Sequence, residues 1–562
     1  MRNQIKWLCI MTALSCLLIG ACEAGTRIEG YLREKKEDGD IVISIDESRL
    51  QEERQELREG QKAGETGNRD EDGTSEKGNP EPEGTGENGR AEKGEGGEKE
   101  TESWRLSWGT AGILKGSLGL ARRILESRCK SQLRSETDTD AGNGALPREI
   151  SDEEPGPPVM WLVSDLHYMS PASTDYGEAF EAFQARGDGK VMRYLPQILD
   201  SLLEEAKEAG PDVVILTGDI TMNGEKINHE ELAGRLSLLQ DAGIQVLVIP
   251  GNHDINNPDA GVFFGDRAER TQEVTPEEFG QIYGKFGPDQ AVSRDEESFS
   301  YVYALRDHIW LMLLDTAQYE PRNLVDGMVR PGTLSWMEEN LRAAREQGIQ
   351  VIVLGHHNLL SQSTMFTDMC VLENGKEVTE LLERYQVPMY ISGHLHLQRA
   401  KKHKREPSDE GYGIWEIVSD AVSIPPCQYG VVRWQENGDI HFYTRQTDVA
   451  AWALENGVSD ENLLDFPAYG EAFIRQIIGD QIRKKTGQVR EKTSEEMAEI
   501  YADVYAGYCA GLKLDQREAM RSWEYRQWQQ CWPDSKPAEE LDAMIRDSCK
   551  DYNYFILEGA SH

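Results

Sequence analysis

Residues 246–254 read Val246-Leu-Val-Ile249-Pro250-Gly251-Asn252-His253-Asp254. Four apolar, mostly β-branched residues make a short strand buried on both faces, and the Pro-Gly behind them ends it in a turn. That turn carries an amide, an imidazole and a carboxylate. The same arrangement recurs along the chain: Met160-Trp-Leu-Val163 precedes Ser164-Asp165-Leu166-His167, Val213-Val-Ile-Leu216 precedes Gly218-Asp219, Val351-Ile-Val-Leu354 precedes Gly355-His356-His357, and the shorter Met389-Tyr-Ile391 precedes Gly393-His394-Leu395-His396. Ligands at the carboxyl ends of successive strands converge on one crevice in an α/β sheet. Five segments far apart in sequence are therefore expected to share one cation pair, the mark of a metalloenzyme.

Between these strands the sequence has amphipathic helical spacing at 191–209, 225–242, 333–346 and 377–385. After Gly393-His394 the pattern changes to short strands without helices, at 412–418, 430–434 and 439–444. An alternating half followed by a meander predicts two packed sheets flanked by helices, a four-layer αββα sandwich over residues 158–446. Residues 447–562 are expected to form a small all-α domain, with helical apolar spacing at 471–484, 495–511 and 515–531. The aromatics of that segment, Tyr501, Tyr505 and Tyr508 among them, are expected chiefly to pack a core, with a roof over the site as the alternative.

The amino terminus places the chain. Arg2 and Lys6 precede a short apolar stretch, which suits a secretory signal, and it ends in Ile19-Gly20-Ala21-Cys22, which resembles the lipobox of bacterial lipoproteins, whose cysteine is acylated. Residues 1–22 are thus expected to be a lipoprotein signal peptide. The mature protein is expected to be extracytoplasmic and attached to the membrane by lipid; cleavage near Ala21 or Ala24 without lipidation is the plainer alternative. Residues 23–157 are acidic and rich in Gly and Glu, too poor in apolar area to offset chain entropy, and are expected to be a disordered spacer. Within it, residues 104–134 mix Trp104, Trp108 and Leu118 with Arg122, Arg123 and Lys130, which suits a membrane-surface helix, a helix docked on the catalytic domain or a weakly structured low-complexity patch. The formal net charge of −40 argues against a nucleic-acid partner. The six cysteines after Cys22 show no CxxC spacing, so zinc-ribbon and thioredoxin readings have no support.

The five motifs, in this order and spacing, resemble the calcineurin-like metallophosphoesterase superfamily. The resemblance implies that one metal takes Asp165, His167, Asp219 and His396 and the other takes Asp219, Asn252, His356 and His394, with Asp219 bridging. It also implies a hydroxide held between the metals as nucleophile, and His253 as the catalytic group that protonates the leaving oxygen or donates a hydrogen bond to the phosphate. Mixed carboxylate and imidazole ligands suit two divalent or trivalent transition metal ions, Mn, Fe or Zn, better than Mg or Ca. Asp254 and His357 are expected to orient ligands, and His229 to line the pocket, cap a helix or lie on the surface.

Gly218-Asp219-Ile-Thr-Met-Asn-Gly224, Pro250-Gly-Asn-His-Asp-Ile255, the segment 293–301 and the run 309–316 look like the class III cyclic-nucleotide phosphodiesterases and their exported relatives with helical extensions. Hydrolysis of phosphodiesters, specifically 3′,5′-cyclic nucleotides, is what this resemblance implies. An extracellular phosphomonoesterase or nucleotidase, and a non-catalytic surface lipoprotein, are the alternatives.

Overall fold

Each continuous apolar run is continuous because its strand is covered on both sides. A computed structural model describes residues 32–37, 40–45, 103–106, 156–366, 369–403 and 413–558. In strand Val159–Val163, Met160 and Leu162 point into a core shared with a second sheet, while Trp161 and Val163 point to an outer core with helices Leu195–Ala209 and Lys226–Asp241. Strand Gln350–Gly355 repeats the division on the other sheet: Ile352 and Leu354 face the shared core, and Val351 and Val353 face helices Pro331–Gln347 and Gly375–Arg384. The result is the expected αββα sandwich.

The first sheet has six strands in the order Tyr554–Leu557, Ile440–Gln446, Gln428–Trp434, Val159–Val163, Val213–Thr217, Gln245–Ile249, the last three mutually parallel. The second has seven, and its strands Ile309–Leu314, Gln350–Gly355, Met389–Ser392 and Trp415–Val418 run parallel. Motif-bearing strands of the two sheets thus present their carboxyl ends at one edge of the sandwich.

Two features differ from the sequence expectation. The strands after Gly393 are not one meander, because Trp415–Val418 joins the second sheet while Gln428–Trp434 and Ile440–Gln446 form a hairpin on the first. The helical region expected after residue 446 is present, as Phe466–Lys485, Glu491–Cys509, Trp523–Cys531 and Lys536–Asp547 around one core, but the chain then returns as strand Tyr554–Leu557 on the edge of the first sheet. Tyr501, Tyr505 and Tyr508 are buried in that helical core, as the packing reading holds.

The amino-terminal unit is described only as three antiparallel strands, Leu32–Glu37, Asp40–Ile45 and Ser103–Leu106. The signal sequence, the rest of the spacer up to residue 155 and all but the first residues of the 104–134 island lie outside the described residues. Among those described, no helix is long and apolar enough to cross a membrane.

Candidate metal centre

All seven expected ligands come together, and five of them, Asp165, His167, Asp219, His394 and His396, have positive φ between 46° and 69°. Non-glycine residues in that region are strained by about 1–3 kcal/mol each and cluster where the surrounding structure must hold a side chain in one direction. Here the strain turns side chains at strand ends into a single buried cluster. At Gly251 any Cβ would overlap the Asp219 carboxylate, so only glycine lets the GNHD turn come this close.

In the first group, His167 Nε2 lies 3.1 Å from His396 Nε2 and 3.9 Å from Asp219 Oδ2, and His396 Nε2 lies 3.3 Å from Asp165 Oδ1. In the second, His356 Nε2 lies 3.2 Å from Asp219 Oδ2 and 3.3 Å from Asn252 Oδ1. Asp219 is therefore the carboxylate common to both, with its Oδ1 also accepting from the His253 backbone N–H at 2.8 Å.

Three of the four ligand imidazoles are aimed by their other nitrogen, while His167 Nδ1 is buried without a partner. His356 Nδ1 donates to Thr217 O at 2.9 Å, His396 Nδ1 to Asp188 Oδ2 at 2.6 Å, and His394 Nε2 to Met369 O at 3.0 Å. These bonds leave a lone pair on Nε2 of His356 and His396 and on Nδ1 of His394, and that last atom is buried without a partner. Lone pairs fixed in this way, converging beside two buried carboxylates, fit a pair of transition-metal ions.

The electrostatics agree. Burial pushes Asp219 up, but the imidazoles of His356, His253 and His167 outweigh it and hold the carboxyl well below the usual range. Burial lowers His356, yet Asp219 and Asp165 raise it to about 9; His396, lowered by burial and Lys190, is likewise raised to about 9 by Asp188 and Asp165. His394 is pushed down to about 4 by burial and by the His356 charge. Two buried carboxylates draw positive charge into this pocket, which is the charge a pair of cations would supply.

His356, His357 and His394 also lie close enough together to form a ligand group. His357 is unsuited to that role, because Nδ1 is bonded to Thr316 Oγ1 at 2.8 Å and Nε2 donates to Val325 O at 3.0 Å. It braces the loop that follows its strand. Asp254 orients ligands from the other side, accepting from the N–H groups of Gly251, Thr221 and Ile220 at 2.8, 3.0 and 3.2 Å and so binding two ligand turns together.

His253 stands apart from the ligands. Its Nδ1 donates to Met222 O at 2.8 Å with Asn223 Oδ1 at 2.9 Å, leaving Nε2 4.0 Å from Asp219 Oδ2 at the mouth of the cluster. The side chain is 34 % exposed, where those of His167 and His356 are fully buried, so a substrate can reach it.

His229 is not on the surface but inside helix Lys226–Asp241. It is buried, with Nε2 2.9 Å from Asp254 O and Nδ1 2.9 Å from Tyr283 OH. Burial lowers it to about 4, so the folded state resists its protonation, and the stability it contributes, present above pH 6.5, is lost as the pH falls toward 4. The loss is about 3 kcal/mol at most. The fall in thermal midpoint between pH 7 and pH 5 is expected to be smaller in His229→Gln than in the parent, and equal falls would refute this assignment.

Sequence reasoning missed Asp188. It sits in Arg186-Gly-Asp-Gly-Lys190, a turn outside the five motifs whose only local signal is an acidic residue between glycines.

The calcineurin-like phosphoesterase family model matches residues 159–398, and the model for the C-terminal domain of cyclic nucleotide phosphodiesterase matches residues 448–551. The chain is 22 % identical over 272 residues to a probable cyclic nucleotide phosphodiesterase of Psychrobacter arcticus, covering 47 % of this chain and 81 % of the relative. It is 24 % identical to a probable cyclic nucleotide phosphodiesterase of Moraxella catarrhalis, covering 35 % and 62 %, and 22 % identical to a 3′,5′-cyclic-nucleotide phosphodiesterase of Nostoc sp., covering 36 % and 64 %. The chain thus spans less than two thirds of the length of the last two.

Proposed function

We propose, from the premise that this chain is a hydrolase carrying a calcineurin-like metallophosphoesterase domain and a cyclic nucleotide phosphodiesterase C-terminal domain, that it cleaves phosphodiesters of the 3′,5′-cyclic nucleotide class. The observation that carries the finer reading is the joint occurrence of the two matches, since the metal cluster alone would serve monoesters equally well. In this reading Asp165, His167, Asp219 and His396 hold one ion, and Asp219, Asn252, His356 and His394 hold the other. Two such ions, when bound, supply Lewis acidity to a phosphoryl oxygen and lower the pKa of water.

The residues of the chain do the rest. The hydrogen bonds of His356, His396 and His394 to Thr217, Asp188 and Met369 keep their ligating lone pairs aimed before any ion arrives. His253 keeps its Nδ1 proton on Met222 O, so in the imidazolium form Nε2 is the atom that can hand a proton to a leaving alkoxide, which leaves the ring neutral, or a hydrogen bond to a phosphate oxygen. In a cyclic nucleotide the leaving group is a sugar alkoxide, which needs that proton.

The test is hydrolysis of bis-p-nitrophenyl phosphate against p-nitrophenyl phosphate by the full chain with added Mn²⁺, followed by a 3′,5′-cyclic nucleotide. Diester turnover that disappears in Asn252→Ala, with the cyclic nucleotide also cleaved, is the expected result. A preference for the monoester would replace this reading with a phosphatase or nucleotidase. Absence of turnover on all three, with metal bound, would favour a non-catalytic protein.

A further inference from the structure

The carboxyl-terminal helices pack on Leu395 and Leu397, either side of His396, and also hold a short loop that touches His396 itself. We infer that Asp188 on that loop is a positioning residue for His396, and that the helical region holds Asp188 in place; the inference rests on reading His396 as a metal ligand.

A histidine that binds a metal through one ring nitrogen is aimed by whatever its other N–H meets, and a carboxylate there also raises the basicity of the ligating atom. Asp188 Oδ2 stands 2.6 Å from His396 Nδ1, which turns Nε2 toward Asp165 and His167. The same carboxylate takes the Lys190 ammonium at 2.8 Å, which ties both ends of the Asp-Gly-Lys turn to one group.

The loop itself has little structure of its own and borrows rigidity from two sides. On the catalytic side, Val191 N–H donates to Ser423 O at 2.9 Å, and the Ser423 hydroxyl donates to Asp165 O at 2.7 Å. On the helical side, Gln481 Nε2 of helix Phe466–Lys485 donates to Gly187 O at 2.7 Å and Ala185 O at 3.3 Å. Tyr505 of helix Glu491–Cys509, itself buried, donates its hydroxyl to Asp188 O at 3.1 Å. Gly189, at φ 109°, lies so close to Ile474 that a Cβ there would press on the side chain, so the turn is packed flat on the helix. The helical region is thereby a support for one metal position, a task distinct from roofing the substrate.

The full chain, its Asp188→Asn, Tyr505→Phe and His396→Ala variants and the Tyr505→Phe, Gln481→Ala double variant would be titrated with Mn²⁺ against a competing chelator, with circular dichroism and the thermal midpoint of each chelator-treated protein measured alongside. Asp188→Asn is expected to weaken Mn²⁺ binding about 10–100-fold without moving the metal-free midpoint. Tyr505→Phe, which removes one of the two side chains that brace the loop from the helical side, is expected to weaken it less but in the same direction, and the Tyr505→Phe, Gln481→Ala double variant to weaken it further. Wild-type affinity in Asp188→Asn, with affinity lost in His396→Ala, would overturn the positioning role while leaving the metal centre standing. Wild-type affinity in His396→Ala as well would overturn the ligand reading beneath it. Loss in Asp188→Asn with none in the Tyr505→Phe, Gln481→Ala double variant would overturn the part assigned to the helices.

Discussion

Asp219→Asn is expected to lower phosphodiester turnover by about three orders of magnitude, since a shared metal ligand underlies several kcal/mol of transition-state stabilisation. It is also expected to leave the purified protein with less bound transition metal. The size follows from position. Asp219 is the carboxylate that lies near His167 at 3.9 Å and His356 at 3.2 Å, so it borders both ligand groups at once. An amide keeps the shape but removes the charge that draws cations into a buried pocket, and its N–H₂ would face imidazole lone pairs. Turnover within a few-fold of wild type, with full metal content by elemental analysis, would rule out the bridging role.

His253→Ala is expected to lower kcat by about 10²–10⁴-fold, the usual contribution of a positioned general acid, while metal content stays at the wild-type level. Its Nδ1 is bonded to Met222 O and its Nε2 is not a ligand, so removing it takes away a proton donor and leaves the cluster whole. The loss is expected to depend on the leaving group. A sugar alkoxide needs a proton as it departs, whereas p-nitrophenolate is stable without one, so the variant should lose much more on a cyclic nucleotide than on bis-p-nitrophenyl phosphate. Equal losses on both substrates would assign His253 to phosphate binding instead of proton transfer.

The two predictions draw on features that were visible to very different degrees before folding. The strands and their ligand turns were legible because both signals are local. A run such as Val246-Leu-Val-Ile249 states double-sided burial in four residues, and the Asn-His-Asp behind it states polar chemistry in three more. The exit of the chain after Gly393 was misread as a single meander because short strands carry no mark of the sheet they will join. Trp415–Val418 and Gln428–Trp434 differ little in composition, yet one pairs in parallel with Met389–Ser392 and the other antiparallel with Val159–Val163. The returning strand Tyr554–Leu557 was missed for the same reason, since an edge strand of four residues has too few positions to show a period.

The sequence by itself determined which side chains can meet metal in this protein, because the types of ligand and their place at strand ends are written within each motif. Tertiary structure alone decided which of their atoms are free to do so. His356 is free to bind and its neighbour His357 is not, only because Thr217, Thr316 and Val325 take the remaining nitrogens. His396 is aimed by a carboxylate 208 residues away, and His356 by a carbonyl 139 residues away. Hydrogen bonds at such separations have no period or spacing along the chain, so they exist as information only once the sheets have closed.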